Sequence, residues 1–326
     1  MVVLAIGVTP DTALAKEAGL ELGIKGSIVV NDRMETSVPD IYAAGDAVQV
    51  KHYVTGDDAL ISLAGPANKQ GRIIADNICG GDSRYLGSQG SSVIKVFDMT
   101  AATTGINETN AKKSGLEVDT VILSPMSHAG YYPGGKVMTM KVIFEKESYR
   151  LLGAQIIGYE GVDKRIDVLA TAIHAGLKAT QLKDLDLAYA PPYSSAKDPV
   201  NMAGFMIDNI AKGTLKQWHL EDMDKISRDK SVVLLDVRTV GEFNRGHMDG
   251  FKNIPVDELR ERINEIEKGK PVYLICQSGL RSYIASRILE GNGYETYNFS
   301  GGFRFYDAVV NDRALIEKAY ACGMDY

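Results

Sequence analysis

The chain has 326 residues, of which 45% are hydrophobic and 24% charged, and its formal net charge is −6 at pH 7. This composition is that of an ordinary globular protein of about two or three domains. The net negative charge, without any basic cluster, argues against a nucleic-acid partner. No apolar stretch approaches the roughly 18 residues that cross a bilayer, and the N-terminus lacks the basic start of a signal peptide. A cytoplasmic protein is therefore expected.

The three cysteines are too few, and too widely spaced, for a zinc site or a disulfide framework. No metal site is expected for that reason. Cys79 is interpreted as a small residue near the end of a helix. Cys322 is either a thiol that resolves a persulfide or an incidental surface thiol.

The first elements of the chain are predicted from apolar runs and helix caps. The apolar run at residues 2–7 predicts a fully buried strand, and a strand of that kind needs neighbours on both sides. Residues 11–20 have helical spacing with a capping residue, and residues 27–31 predict a short strand.

Residues 36–47, Thr-Ser-Val-Pro-Asp-Ile-Tyr-Ala-Ala-Gly-Asp-Ala, form the first strong motif. Gly45 permits close approach of the backbone to a ligand, and Asp46 can accept a hydroxyl hydrogen bond. A bare Gly-Asp step would be an ordinary turn, but the whole run resembles the end of the FAD domain in pyridine nucleotide-disulfide oxidoreductases. That resemblance implies Asp46 as a ligand of the flavin ribityl chain, and Ala67 and Asn68 in the following helix as flavin contacts.

Residues 92–212 change to a mixed pattern of strands and helices. The predicted strands cover residues 92–97, 121–123, 138–144 and 151–158, and the predicted helices cover residues 162–175 and 199–211. This region resembles the dimerisation domain of the same oxidoreductases, which implies a homodimer.

Two loops in this region combine tyrosine with proline, at residues 128–134 and 187–194. They resemble loops of the coenzyme A-disulfide reductase branch, in which a tyrosine from each loop reaches the redox cysteine of the other subunit. The resemblance implies Tyr131 and Tyr189. A tyrosine hydroxyl beside a thiolate can hydrogen-bond it or donate a proton to a leaving thiol. Packing at the dimer interface is the alternative role.

The last region, residues 214–326, alternates short apolar runs with helical patterns and predicts a small parallel α/β domain. The predicted strands cover residues 232–237, 271–275 and 296–299, and the predicted helices cover residues 256–268, 282–291 and 313–321.

The most informative segment of this region is a cysteine loop between a predicted strand and a predicted helix. It consists of Cys276, Gln277, Ser278, Gly279, Leu280, Arg281 and Ser282. Backbone N–H groups at the start of the helix, the positive end of the helix and Arg281 are expected to stabilise a thiolate on Cys276. A buried and inert cysteine is the alternative.

This loop resembles the active-site loop of rhodanese-like sulfurtransferases. The upstream motifs Leu-Leu-Asp-Val-Arg at residues 234–238, Glu-Phe at 242–243, Gly-His-Met-Asp-Gly at 246–250 and Asn-Ile-Pro at 253–255 follow the order of that family. The resemblance implies that Cys276 carries sulfur as a persulfide. Cysteine phosphatases are the rival, but their spacing between cysteine and arginine is longer than the four residues found here, and the smaller ring suits a sulfur atom rather than a phosphate.

No G-x-G-x-x-G fingerprint of a dinucleotide-binding domain occurs in the chain. The oxidoreductases that the chain resembles carry one such fingerprint for FAD and one for NAD(P)H. The resemblance therefore implies a multidomain α/β and α+β protein that represents the C-terminal portion of a longer enzyme. The expected domains are a remnant of the NAD(P)H- and FAD-binding domains at residues 1–90, a dimerisation domain at 91–213 and a rhodanese-like domain at 214–326.

The combined resemblance implies an FAD-dependent reductase in which NAD(P)H reduces FAD and FAD reduces an upstream cysteine that cleaves a coenzyme A disulfide or persulfide. Cys276 would handle sulfane sulfur beside this reaction. Small-molecule thiols, persulfides and coenzyme A disulfides are the expected substrates. Two alternatives stay open: a sulfurtransferase that uses thiosulfate or persulfides without flavin, and a non-catalytic dimerising module.

Overall fold

A computed structural model describes Leu4 and residues 6–310, and in this part of the chain the strands form three sheets. The α-helices are α1 (Ala13–Glu17), α2 (Ala64–Ile78), α3 (Glu108–Lys113), α4 (Val162–His174), α5 (Pro199–Ala211), α6 (Met223–Ile226), α7 (Val240–Arg245) and α8 (Leu280–Glu290). The strands are β1 (Ile28–Val29), β2 (Val48–Lys51), β3 (Asp58–Ala59), β4 (Ser92–Val96), β5 (Met99–Gly105), β6 (Val118–Leu123), β7 (Thr139–Glu145), β8 (Leu151–Gly158), β9 (Gln217–Trp218), β10 (Val233–Asp236), β11 (Lys252–Asn253), β12 (Val272–Ile275) and β13 (Thr296–Phe299).

The N-terminal region has a small sheet in the order β1-β2-β3. The prediction of a buried strand at residues 2–7 is wrong for the residues that the structure describes there, since Leu4 and Ile6 are 80% and 86% exposed and belong to no strand. An apolar run becomes a strand only where a neighbouring strand supplies hydrogen bonds and cover. Residues 2, 3 and 5 lie outside the described residues.

The second sheet is antiparallel, in the order β4-β5-β8-β7-β6, and α4 and α5 complete its core. Met140, Ile156, Leu169 and Ile207, which come from β7, β8, α4 and α5, are fully buried in it. The predictions of β8, α4 and α5 are confirmed within one residue at each end. Sequence reasoning missed β5, because its residues Met-Thr-Ala-Ala-Thr-Thr-Gly lack strong apolar alternation.

The third sheet is parallel throughout, in the order β11-β10-β12-β13-β9, with an apolar core on each face. The predicted helix at residues 256–268 is wrong, because only one short 3-10 turn, Ile263–Glu265, forms there. Leu259 and Ile266 are buried at helical spacing, so the segment packs on the sheet by successive turns instead of a continuous helix. The predicted helix at 313–321 and Cys322 lie outside the described residues.

The second and third sheets meet where β6, an edge strand, contacts β9, another edge strand. Gln217 Nε2 donates to the Thr120 carbonyl over 2.8 Å, and His219 Nε2 lies 3.1 Å from Asp119 Oδ1. Farther along β6, the Ile122 N–H donates to Ser300 Oγ over 3.1 Å. These contacts form what we call the β6–β9 junction, which fixes the third sheet on the second.

Candidate functional site

Cys276 follows β12 at the carboxyl end of the parallel sheet, where α8 begins. Its side chain is 1% exposed. The sulfur accepts hydrogen bonds from the Gly279 N–H over 3.1 Å and from Ser282 Oγ over 3.2 Å. Gly279 has φ +99° and caps α8, a conformation that favours glycine. Two donors therefore point at the sulfur, which suits a sulfur atom that carries negative charge.

The segment after β13 fixes the opposite side of this loop. The Phe303 N–H donates to the Cys276 carbonyl over 2.8 Å, and the Arg304 N–H donates to the Gln277 carbonyl over 3.1 Å. A Cβ on Gly302 would lie 2.6 Å from the Ser278 nitrogen, so only glycine permits this approach. These two hydrogen bonds fix the carbonyl groups of the loop on one side, while the Gly279 N–H donates to the sulfur.

Asn298 holds the Gly279 peptide in this orientation. Asn298 Nδ2 donates to the Gly279 carbonyl over 3.0 Å. Ser282 Oγ lies 3.1 Å from the same oxygen, so its one proton is shared between this carbonyl and the Cys276 sulfur. Asn298 and Ser282 are 4% and 0% exposed. Sequence reasoning identified Ser282 but missed Asn298, since an asparagine at the end of a strand carries no motif.

Arg281 forms a bidentate ion pair with Glu242, with both N–O distances at 2.7 Å. The hydrogen bonds from Arg281, with further bonds from Thr239, lower the pKa of Glu242 to about 2. Among the described contacts, none joins the guanidinium to the Cys276 sulfur. The expected role of Arg281 in stabilising the thiolate stays a prediction, and Glu242 compensates the guanidinium charge in this structure. The sequence contained Glu242 within a motif but gave no sign of this pairing.

The remaining predicted loop residues are less buried than Cys276. Gln277 and Ser278 are half-buried, and Leu280 is 66% exposed. A buried ion pair packs against Phe303, whose N–H binds the loop: Arg238 Nη2 donates to Asp236 Oδ2 over 2.6 Å, and the Arg238 guanidinium lies 3.8 Å from the centre of the Phe303 ring.

The two tyrosines predicted from separate loops lie together. The hydroxyl oxygens of Tyr131 and Tyr189 are 2.8 Å apart, although the residues are separated by 58 positions. Tyr131 is 77% exposed and Tyr189 45% exposed, so the pair is open to a small molecule or to another subunit. The hydrogen bond with Tyr131 raises the pKa of Tyr189.

The predicted flavin contacts lie where a short turn meets α2. Gly45 has φ +83°, and its N–H donates to Gln70 Oε1 over 2.7 Å. A Cβ on Gly45 would lie 3.8 Å from the Ala67 Cβ, so these two predicted contacts are neighbours. Asn68 is exposed and its Nδ2 donates to the Ala64 carbonyl over 2.9 Å, within its own helix.

Asp46 and the first turn of α2 have hydrogen-bonding capacity available for a cofactor. In the described part of the chain the exposed Asp46 carboxylate has no hydrogen-bond or ion-pair partner, and no side chain caps α2. An unpaired carboxylate accepts hydroxyl hydrogen bonds, and the N–H groups of a helix start attract anions. These residues fit the ribityl chain of FAD.

Residues 6–310 contain no cluster of metal-binding side chains. No group of three or more histidine, cysteine or acidic side chains in this range is placed to hold a metal ion. The helices in the described range are also too short or too polar to cross a membrane. The cysteines described there, Cys79 and Cys276, are both free thiols, the first exposed and the second buried.

Three family models match successive parts of the chain. The model described as pyridine nucleotide-disulphide oxidoreductase matches residues 1–71, that of the dimerisation domain of these enzymes matches residues 91–199, and that of the rhodanese-like domain matches residues 219–308.

Several known proteins are similar to this chain in sequence or structure. An NAD(P)H sulfur oxidoreductase (CoA-dependent) from Pyrococcus abyssi is 38% identical over 61% of this chain and 45% of its own length. The structure of reduced Bacillus anthracis CoADR-RHD is 49% identical, with a TM-score of 0.93 over 96% of this chain and 56% of that chain. An NAD-dependent persulfide reductase from A. fulgidus is 42% identical, with a TM-score of 0.84 over 92% of this chain and 55% of that chain.

The fold and the sites define a multidomain protein that joins a dimerisation domain of disulfide oxidoreductases to a sulfurtransferase-type domain. The chain is built from domains of the pyridine nucleotide-disulphide oxidoreductase family, followed by a C-terminal rhodanese-like domain. This family is FAD-dependent and uses NAD(P)H. The chain spans about half the length of the curated relatives it matches.

Proposed function

We propose that this chain supplies the dimerisation domain, the thiol-site tyrosines and the sulfurtransferase domain of an FAD-dependent, NAD(P)H-driven reductase of coenzyme A disulfides or persulfides. The observation that carries the proposal is the setting of Cys276, a buried sulfur with two hydrogen-bond donors at the carboxyl end of a parallel sheet. We propose domain boundaries at residues 1–90, 91–213 and 214–326, and the cytoplasm, where thiols stay reduced, as the location.

Cys276 transfers sulfur without net oxidation or reduction. Its thiolate attacks the outer sulfur of a donor persulfide, the donor S–S bond breaks, and the donor leaves as a thiolate. Cys276 then carries the outer sulfur as an anionic persulfide. An acceptor thiolate attacks that sulfur, takes it as a new persulfide and returns Cys276 to its thiolate form. The Gly279 N–H and the Ser282 hydroxyl support the negative charge through both steps.

Tyr131 and Tyr189 together serve the second thiol site. Two hydroxyl groups carry two protons, and the hydrogen bond between them uses one. The second proton remains available to a substrate thiolate that approaches the exposed pair. In a homodimer this pair would face the redox thiol of the other subunit.

Asp46 and the first turn of α2, which includes Ala67, would hold FAD. When bound, FAD supplies the electrons that reduce a disulfide. Asp46 accepts a hydroxyl hydrogen bond, while Gln70 holds the Gly45 backbone in place through its contact with the Gly45 N–H. Asn68 is the weaker candidate, because its amide donor is already bonded to Ala64.

A sulfurtransferase that works without flavin is the second candidate. The observation that favours it is that the donors to the Cys276 sulfur, Gly279 and Ser282, belong to the rhodanese-like domain itself. Sulfur uptake would then need no other domain.

The test is the intact mass of the purified chain after incubation with thiosulfate or a persulfide, together with its flavin absorbance. We expect the addition of one sulfur atom in the wild type and in Cys79→Ser, and no addition in Cys276→Ser. The first proposal would be supported by two results together. This chain should take up sulfur on Cys276 without bound flavin, and a longer protein that also contains the upstream FAD- and NAD(P)H-binding segments should reduce coenzyme A disulfide. Equal labelling of wild type and Cys276→Ser would reject the role of Cys276.

A further inference from the structure

Arg165, near the start of α4, is a buried cation that touches both tyrosine loops. It is 1% exposed. Its Nη2 donates to the carbonyl of Ser127, the residue directly before the loop of Tyr131, over 2.9 Å, and to Ser194 Oγ in the loop of Tyr189 over 3.1 Å. One guanidinium group therefore connects two segments that are far apart in the sequence.

Asp198 balances this charge and extends the connection. Arg165 Nη2 and Nε lie 2.9 Å and 3.1 Å from Asp198 Oδ2, and Ser194 Oγ donates to the same oxygen over 2.7 Å. Asp198 is 3% exposed and also caps α5 by accepting the Val200 N–H over 3.0 Å. The start of α4, the start of α5 and both loops thus share one buried polar network.

Short hydrogen-bonded turns connect this network to the two tyrosines. In the second loop, the Ser194 N–H donates to the Ala190 carbonyl over 3.2 Å, directly after Tyr189. In the first loop, the Tyr132 N–H donates to the Ala129 carbonyl over 3.0 Å, around Tyr131. The Ala129 N–H also donates to the Ser194 carbonyl over 3.0 Å and joins the two loops.

Gly161, which has no Cβ, leaves room for the Arg165 side chain. A Cβ on Gly161 would lie 2.1 Å from Arg165 Nη1, and its carbonyl accepts from the same nitrogen over 3.2 Å. The residue has φ +70°, which also favours glycine.

We propose that Arg165, with Asp198 and Ser194, is a positioning residue that holds the two loops in the register at which the Tyr131 and Tyr189 hydroxyls meet. The chemical use of that pair rests on the function proposed above. A hydrogen bond between two exposed hydroxyls is too weak to order two loops by itself, because water competes for both groups. A satisfied buried network is a stronger restraint.

The experiment follows the ionisation of Tyr189 in this chain labelled with fluorotyrosine. Fluorine NMR resonances of the pair are assigned with Tyr131→Phe and Tyr189→Phe, and each variant is titrated with base. The test variant is Arg165→Met combined with Asp198→Asn, which removes both charges together and leaves an amide able to cap α5. The matched control is Lys183→Met combined with Asp208→Asn, which removes another ion pair of α5, 2.6 Å long.

We expect the raised pKa of Tyr189 to fall in the test variant to the value found in Tyr131→Phe, while the control keeps the wild-type value. A folded test variant with a wild-type Tyr189 titration would overturn the proposal. If that variant does not fold, Ser194→Ala, which keeps both charges, decides instead: an intermediate value supports the proposal and a wild-type value rejects it.

The titration of Tyr189 involves no sulfur chemistry. If Tyr131→Phe left disulfide reduction by the longer protein unchanged, the tyrosine part of the proposed function would fail, while the positioning result would stand.

Discussion

Gly302 determines how closely the segment after β13 approaches the cysteine loop. We predict that Gly302→Ala slows sulfur transfer by about 100-fold, because displacement of a reacting group by about 1 Å has an effect of that size. The added Cβ would meet the Ser278 nitrogen at 2.6 Å and the Gln277 carbonyl carbon at 2.7 Å. Thiosulfate or persulfide turnover measures the effect, and chemical denaturation should show a loss of roughly 1–3 kcal/mol.

Gly293→Ala is the control for this substitution. Gly293 has φ +84°, in the same left-handed region, but no atom lies within 4 Å of the position that an added Cβ would take. We expect normal turnover and only the backbone cost of about 1 kcal/mol. Equal loss of turnover in both variants would mean that turnover depends on the left-handed glycine conformation and not on the close approach of Gly302 to Ser278.

Glu242 neutralises the charge of Arg281 in the cysteine loop. We predict that Glu242→Gln increases the rate of Cys276 alkylation at neutral pH by roughly three- to ten-fold, because the guanidinium charge is no longer compensated and can support a thiolate. Iodoacetamide labelling followed by mass spectrometry measures the rate. Glu265→Gln is the control, since the partners of Glu265, Arg262 and Lys252, lie outside the loop. An unchanged rate in Glu242→Gln would contradict the prediction.

The ion pair between Arg281 and Glu242 also makes the unfolding free energy depend on pH. Glu242 has a pKa of about 2 in the folded chain, below its ordinary value of 4.5. Its contribution to stability is therefore complete above about pH 4.5 and is lost as the pH falls through about 2. The difference in unfolding free energy between wild type and Glu242→Gln should shrink over that interval, as chemical denaturation at several pH values would show.

At the scale of elements, the β6–β9 junction fixes the rhodanese-like domain on the dimerisation domain. Burial opposes ionisation of Asp119, but hydrogen bonds from His219, Thr120 and Gln217 outweigh it and lower the pKa of this carboxyl. We predict that Asp119→Ala opens the junction and accelerates limited proteolysis of residues 212–216 by about ten-fold, equivalent to about 1.4 kcal/mol. Because the pKa is lowered, the wild-type junction should also weaken as the pH falls below the ordinary range of aspartate.

Glu117→Ala is the control for the junction. Glu117 is near the start of β6, but its side chain is 86% exposed and lies 3.9 Å from Lys146. We expect wild-type proteolysis. Equal cleavage of the Asp119→Ala and Glu117→Ala variants would show that Asp119 does not hold the domains together.

The sequence predicted elements well where apolar periodicity was strong. Leu151–Gly158 and Thr296–Phe299 form strands with the predicted bounds, and Pro199–Ala211 forms a helix with the predicted bounds. Prediction failed where the apolar spacing indicated one structure and tertiary packing produced another. Residues 256–268 place apolar side chains at helical spacing, but tertiary packing holds them as successive turns.

At the scale of the whole molecule, motifs located the reactive residues, and the residues that support them were found only in the structure. Cys276 lies in a contiguous loop with its own pattern, and Tyr131 and Tyr189 each lie in a recognisable loop. Arg165 and Asp198 are 33 positions apart, and a charged residue in a helix resembles a solvated surface residue in any sequence. Such partners follow from three-dimensional packing, which local patterns do not encode.

The assembly of two copies through the dimerisation domain is the last prediction. Among the strands that the structure describes, the edge strand β4 pairs only with β5, and Ile94 is 61% and Val96 50% exposed, next to Phe97 at 94%. An uncovered apolar edge of this kind is typical of an interaction surface. We predict that the wild-type chain has twice its mass of 35.4 kDa by light scattering, and that Ile94→Asp combined with Val96→Asp gives the single mass.

Val240→Asp is the control for this surface, since Val240 is 52% exposed but belongs to the rhodanese-like domain. It should remain dimeric. Circular dichroism must show that the β4 variant is folded, because an unfolded chain would also lose the dimer. A folded β4 variant with twice the chain mass would place the interface elsewhere on the dimerisation domain, and a monomeric wild type would reject the homodimer, because no second subunit would then be present for Tyr131 and Tyr189 to face.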